Sequence, residues 1–85
     1  MIFNAEIDVR LKKGLLDPQG KTIAGALSSL GYSGVSEVKV GKLIEIKLTA
    51  KSKADAGKQV EEMGKKLLAN PVIEIFTYKL EEATK

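Results

Sequence analysis

Leu16-Asp17-Pro18-Gln19-Gly20 and Asn70-Pro71-Val72-Ile73-Glu74 hold the two prolines of this 85-residue chain, and each marks a change of element. Asp17 suits a helix N-cap, where its carboxylate accepts from orphan N–H groups, and Pro18 suits the first helical position, which needs no donor. Asn70-Pro71 stops a helix, because the residue before proline avoids helical geometry. Each motif also carries a polar residue beyond what a turn requires. Gln19 is not needed to start a helix, and Glu74 is an odd choice in an apolar strand. Paired with the absence of His and Cys, such loops point to a presented surface rather than a reaction.

Outward from these marks the elements follow. Phe3, Ala5, Ile7, Val9 and Leu11 alternate with polar residues over 2–12, the period of a half-buried strand. Gly14 breaks the run. After Asp17, the residues Ile23, Ala26, Leu27 and Leu30 make one apolar helical stripe, which Gly31 ends as a left-handed cap. Val35, Val38 and Val40 predict a second strand, turned by Gly41-Lys42 into a third that carries Ile44, Ile46 and Leu48. Ser52 and Asp55 resemble a capping box. The helix behind them has an inward stripe of Ala56, Val60, Met63 and Leu67, and Gly64 is expected to allow close approach to the sheet. Residues 72–79 form the last strand, with Glu81–Lys85 a frayed tail. The order β-α-β-β-α-β predicts a single α+β domain over 1–85. Its expected form is a two-layer, ferredoxin-like sandwich, a four-stranded antiparallel sheet with two helices on one face.

In the last strand, Ile73 and Ile75 share one face, which places Phe76 and Tyr78 on the other, with Glu6, Asp8, Arg10 and Lys47. End-of-sheet packing by the tail explains them blandly. A protein interface explains them better, since aromatics are enriched there.

Composition narrows the function classes. A domain this small hides only about 60–65% of its unfolded surface, so its own core is thin and association would help it. With 44% apolar and 29% charged residues it is an ordinary globular chain. All but one of the fourteen basic residues are Lys, Arg10 being the exception, and dispersed Lys among Asp and Glu does not point to nucleic acid. No apolar run approaches the ~20 residues that span a bilayer, and Met1–Glu6 lacks a signal-peptide pattern; the expected location is cytoplasmic, away from membranes. Without His or Cys the available bases are carboxylates, Lys and Tyr. Asp17 has a structural role as a cap, and Glu6 with Asp8 falls short of the 6–8 oxygens Ca²⁺ takes. Gly20-Lys21-Thr22 lacks the first glycine of a phosphate loop. No catalytic, metal or cofactor-binding residue is expected.

The run Leu11–Gly20, then Ala26-Leu27, Leu30-Gly31-Tyr32, Val38–Lys42 and Lys66–Glu74 resembles the PurS subunits of phosphoribosylformylglycinamidine synthase over nearly the whole chain. The resemblance implies a role in the fourth step of de novo purine synthesis. There a large subunit uses ATP, with Mg, to activate formylglycinamide ribonucleotide, and a glutaminase subunit releases ammonia. The small subunit, a dimer or higher oligomer, bridges the two and supports ammonia transfer without cofactors or catalytic residues of its own. It also implies that Asp17, Pro18, Gln19, Gly20, Asn70, Pro71 and Glu74 serve subunit contacts, although turn geometry alone accounts for Asp17, Pro18 and Pro71. A free-standing, ACT-like regulatory module that binds a small metabolite is the alternative.

Overall fold

The computed structural model describes residues 1–83. Strand β1 (Ile2–Leu11) lies between β2 (Lys42–Thr49) and β3 (Glu74–Glu82), and both pairings are antiparallel. Helix α1 (Pro18–Ser29) follows β1; helix α2 (Lys53–Met63) follows β2 and runs on into a wider π-turn, Gly64–Leu68. The alternation in β1 buries Phe3, Ala5, Ile7 and Val9 almost completely. Around them the register sets cross-strand rows: Phe3 beside Leu48, Ala5 between Ile46 and Leu80, Ile7 between Ile44 and Tyr78. Ala56 and Val60 of α2 close this face from above.

The sheet has three strands, not the four expected. The missing strand is 35–40, which runs as irregular chain. Its valines do not keep a period of two, since Val35 and Val38 fall three apart. Its described long-range hydrogen bond is from the Val40 N–H to the Asp17 side chain, 2.8 Å. The expectation of two helices on one face also fails. Only Gly20 of α1 is buried, while Ile23, Ala26 and Leu30 of its stripe are exposed. Consequently the chain measures 51 × 29 × 14 Å, with a radius of gyration of 16.7 Å against about 12 Å for a compact chain of this length.

The facing of β3 is likewise corrected. Phe76 pairs with Val9 and Tyr78 with Ile7, so both aromatics lie under α2 and pack against the core. Ile75 opposes Arg10 on the uncovered face and stays 53% exposed. Apolar residues occupy both parities of this strand, and Phe76, Tyr78 and Leu80 together outweigh Ile75. A one-residue error in parity exchanges the faces. Two glycines admit the rings: a Cβ on Gly64 would fall on the Phe76 ring, and one on Gly57 would sit 3.2 Å from the Tyr78 hydroxyl. This is the close approach to the sheet that Gly64 predicts in the sequence.

At α2 the Ser52 hydroxyl accepts from the Asp55 N–H, 3.1 Å, while the Asp55 carboxylate reaches back to the Lys51 N–H, 3.2 Å. The box therefore closes one residue earlier than its usual form. Further on, the Ala69 N–H donates to the Gly64 carbonyl, five residues back. The extra residue in that turn rotates Leu67 into solvent, 82% exposed, and turns Leu68 toward the core instead. Glu81 and Glu82, expected in the tail, still belong to β3; residues 84–85 of that tail lie outside the described residues.

Candidate subunit-contact site

Asp17 spends both carboxylate oxygens on backbone. Oδ1 accepts from the Gly20 N–H at 2.8 Å, capping α1 as expected, and Oδ2 accepts from the Val40 N–H at 2.8 Å. One side chain therefore caps the helix and ties down the irregular segment that precedes β2. The Gly20 bond, then the Val40 bond, hold its carboxyl below the usual carboxylate range. Pro18 takes the first helical position, and Gln19 follows it, exposed. Gly20 is buried because the Val38 carbonyl occupies the space a side chain would need.

The second motif is a closed turn. The Asn70 carbonyl accepts from the N–H groups of Ile73 (3.1 Å) and Glu74 (2.7 Å), and the Asn70 Oδ1 accepts from Val72 at 3.0 Å. This is an Asx-turn with Pro71 at its first corner. Glu74 answers with Oε1 on the Asn70 N–H, 2.7 Å, and its Oε2 lies 3.8 Å from the Lys42 ammonium. The misfit glutamate is thus the clasp of its own turn and an ion-pair partner for β2.

The two motifs meet. Asp17, Pro18 and Gln19 line one wall of an open cleft of about 530 Å³, Glu74 and Lys42 the other, with Val9 and Leu11 in the floor. Asn70 joins only through Glu74, and Gly20 lies behind the wall. Phe76 and Tyr78 are elsewhere, lining a groove with Pro71 between the π-turn and β3. Two contributors escaped the sequence analysis. Gly41 passes so close to β1 that a Cβ would stand 2.7 Å from the Val9 carbonyl, and Lys42 supplies the ion pair. Their signals were the Gly41-Lys42 turn and the Val38–Lys42 run of the resemblance, neither of which assigns them to a site.

Each acid of the cleft is engaged by backbone or by an ammonium, and among the described residues no three potential ligands group as a metal site. No helix is long and apolar enough to cross a membrane among the same residues. A small α+β protein that presents shaped loops and an exposed apolar helix stripe has the surface of a subunit of a larger assembly.

A family model for PurS, phosphoribosylformylglycinamidine (FGAM) synthase, matches residues 4–82. The subunit PurS of that synthase from Methanocaldococcus jannaschii is 43% identical over 81 residues, covering 95% of this chain and 98% of the relative. Its Bacillus subtilis counterpart is 42% identical over 81 residues, 95% of each. Among solved structures, M. jannaschii PurS, one of the subunits of formylglycinamide ribonucleotide amidotransferase, superposes with a TM-score of 0.84 over 95% of this chain and 98% of that one. A chain of Thermotoga maritima PurLQS reaches 0.86 at 30% identity, over 95% and 99%. The chain belongs to the PurS family, as its motifs implied, and the similarity lends nothing to the ACT-like alternative.

Proposed function

We propose that this chain is the non-catalytic small subunit of a glutamine-dependent, ATP-using phosphoribosylformylglycinamidine synthase. It joins the large synthetase subunit to the glutaminase subunit and supports ammonia transfer between them in the cytoplasm. ATP and Mg belong to the large subunit, and no cofactor belongs to this chain. The observation that carries the proposal is the arm formed by α1 and residues 31–41. There Leu30 and Tyr32 are 74% and 60% exposed, and Leu16, just ahead of α1, is 71% exposed. Exposed apolar surface of this kind marks association. The T. maritima PurLQS assembly supports the same reading by likeness.

Self-association to a dimer or higher is part of the proposal, with the arm as its contact and the Asp17–Glu74 cleft shaping its base. Reconstitution tests the whole. The purified chain turns over neither ATP nor glutamine, and glutamine-driven amidine formation requires all three subunits. Turnover by this chain alone, or full synthase activity without it, counts against the proposal. Sedimentation well above the 9.2 kDa of one chain, reduced by Leu30→Asp, tests the self-contact.

A further inference from the structure

We infer that a cationic groove beside the Asp17–Glu74 cleft docks an acidic, amphipathic segment of one of the partner subunits. The inference rests on the proposed function and deepens it by naming the chemistry of one contact. The groove, about 640 Å³, opens where β1 ends, on the sheet face that α2 leaves uncovered. Five cations line it (Arg10, Lys12, Lys13, Lys39, Lys42) against two carboxylates, Asp8 and Asp17. Both carboxylates are already spent. Asp8 holds Arg10 in a two-pronged pair at 2.9 and 3.1 Å, and Asp17 serves the Gly20 and Val40 N–H groups. Lys42 reaches Glu74. Among the described residues, Lys12, Lys13 and Lys39 make no ion pair.

These lysines are not on slack chain. The Lys12 N–H donates to the Ile73 carbonyl at 2.8 Å, and the turn Lys12–Leu15 closes through Gly14 at φ +84°. Lys39 precedes the Val40 N–H that Asp17 holds. Three like charges held around one groove repel one another, and only Lys39 is partly offset, by the Asp17 carboxylate. Between them the floor is aliphatic, with Leu15, Leu43 and Ile75 exposed at 44%, 65% and 53%. An apolar centre with a charged rim is the anatomy of a protein interface, and its occupant carries carboxylates at the edge and apolar side chains beneath. A nucleic acid fits less well. The lone Arg is engaged by Asp8, and no aromatic lines the groove to stack on a base.

The test measures binding of the full chain to each purified partner subunit across roughly 0.05 to 1 M salt, over which the Debye length falls to about 3 Å. Lys12→Glu/Lys13→Glu/Lys39→Glu is expected to weaken binding to one subunit by roughly tenfold or more at low salt and to flatten the salt dependence. Lys53→Glu/Lys58→Glu, the same kind of reversal on exposed α2 positions, leaves binding unchanged. The Gln versions of the three groove lysines, with a thermal melt matching the parent, guard against misfolding and give an intermediate loss. Parent-like affinity and salt slope in the triple reversal overturn the groove while leaving the proposed function standing. Failure of the unaltered chain to bind either subunit overturns both. Tight, salt-sensitive binding of a single-stranded oligonucleotide, lost in the triple reversal while subunit binding is kept, reassigns the groove and overturns the inference.

Discussion

The sheet with α2 and the arm of α1 with residues 31–41 are built from similar amphipathic sequence and end in opposite states. In the first, the stripe of α2 meets β1, and Ala56 and Val60 vanish from solvent. In the second, an equally regular stripe finds no such face among the described residues: Leu27 is half-buried, and Ile23 and Leu30 stay exposed. The difference is what each helix has opposite it. β1 offers four buried side chains to α2, whereas the described anchors of α1 lie at its N-terminal end, Gly20 against Val38 and the Asp17 bond to Val40. An apolar stripe therefore predicts a helix but not its partner, and a stripe left open inside a small protein is a statement about assembly.

That comparison breaks first, and by the largest amount, at matched truncations. Ile7→Ala empties a fully buried site and is expected to cost about 2–5 kcal/mol. Ile23→Ala in α1 should stay within about 0.5 kcal/mol in the isolated chain at dilution, as surface changes do. Denaturant unfolding of both variants decides it, and a comparable loss at Ile23 would mean that α1 is packed in solution. Gly64→Ala comes next. Helix propensity favours Ala by about 1 kcal/mol, but the new methyl meets the Phe76 ring, and overpacking costs about 1–3 kcal/mol. The expected outcome is a net loss, with the ring signals of Phe76 shifted by NMR; a gain in stability would show that the ring gives way freely.

How much of this was legible beforehand follows the same divide. Local chemistry read well: Asp17 as cap, Pro18 at the first turn, Gly31 at positive φ, Ser52 with Asp55, and the alternation of β1 are all decided within a few residues. Errors arose where distant chain had to choose. Val35–Val40 has apolar content enough for a strand, yet it does not add to the outer edge of β2 and is held instead against the start of α1, by the Asp17 bond to Val40 and the Val38 carbonyl beside Gly20. Phe76 and Tyr78 depended on register against Val9 and Ile7, and Leu67 on a π-turn that no local pattern announces. Of the site, the motifs were visible but their meeting was not. Neither the Asp17–Val40 bond, 23 residues apart, nor the Lys42–Glu74 pair leaves a mark in sequence spacing.

Acid probes the tie between the two regions. The Asp17 carboxyl is depressed by the N–H groups of Gly20 and then Val40. Its contribution is therefore complete above the ordinary value of 3.8 and is lost as pH falls through the lower folded value. Asp8, lowered chiefly by its hydrogen bond with Arg10, acts with the same sign, so the informative quantity is parent minus variant. Asp17→Asn keeps one acceptor oxygen for two donors. The acid dependence should shrink, and the Val40 amide should exchange faster at neutral pH while the Ala5 and Ile7 amides do not change. An unaltered Val40 exchange rate would show that the arm is held by something other than this carboxylate.

The smallest effect on the isolated chain is expected at Gln19. It is exposed at the second position of α1, makes no described side-chain hydrogen bond, and lines the cleft opposite Glu74. Ala is the better helix former there, so Gln19→Ala should leave the melting temperature unchanged or slightly raised. The carboxamide is then free to act outward, where it can both donate and accept across a subunit contact. Its loss should lower subunit affinity or glutamine-driven synthesis in the reconstituted complex, while synthesis supplied with free ammonia is less affected. Such a split separates a contact from a fold requirement, because a folding defect lowers both rates together. Equal rates and equal affinity for parent and variant would make Gln19 an ordinary surface residue and confine the cleft's function to Asp17, Lys42 and Glu74.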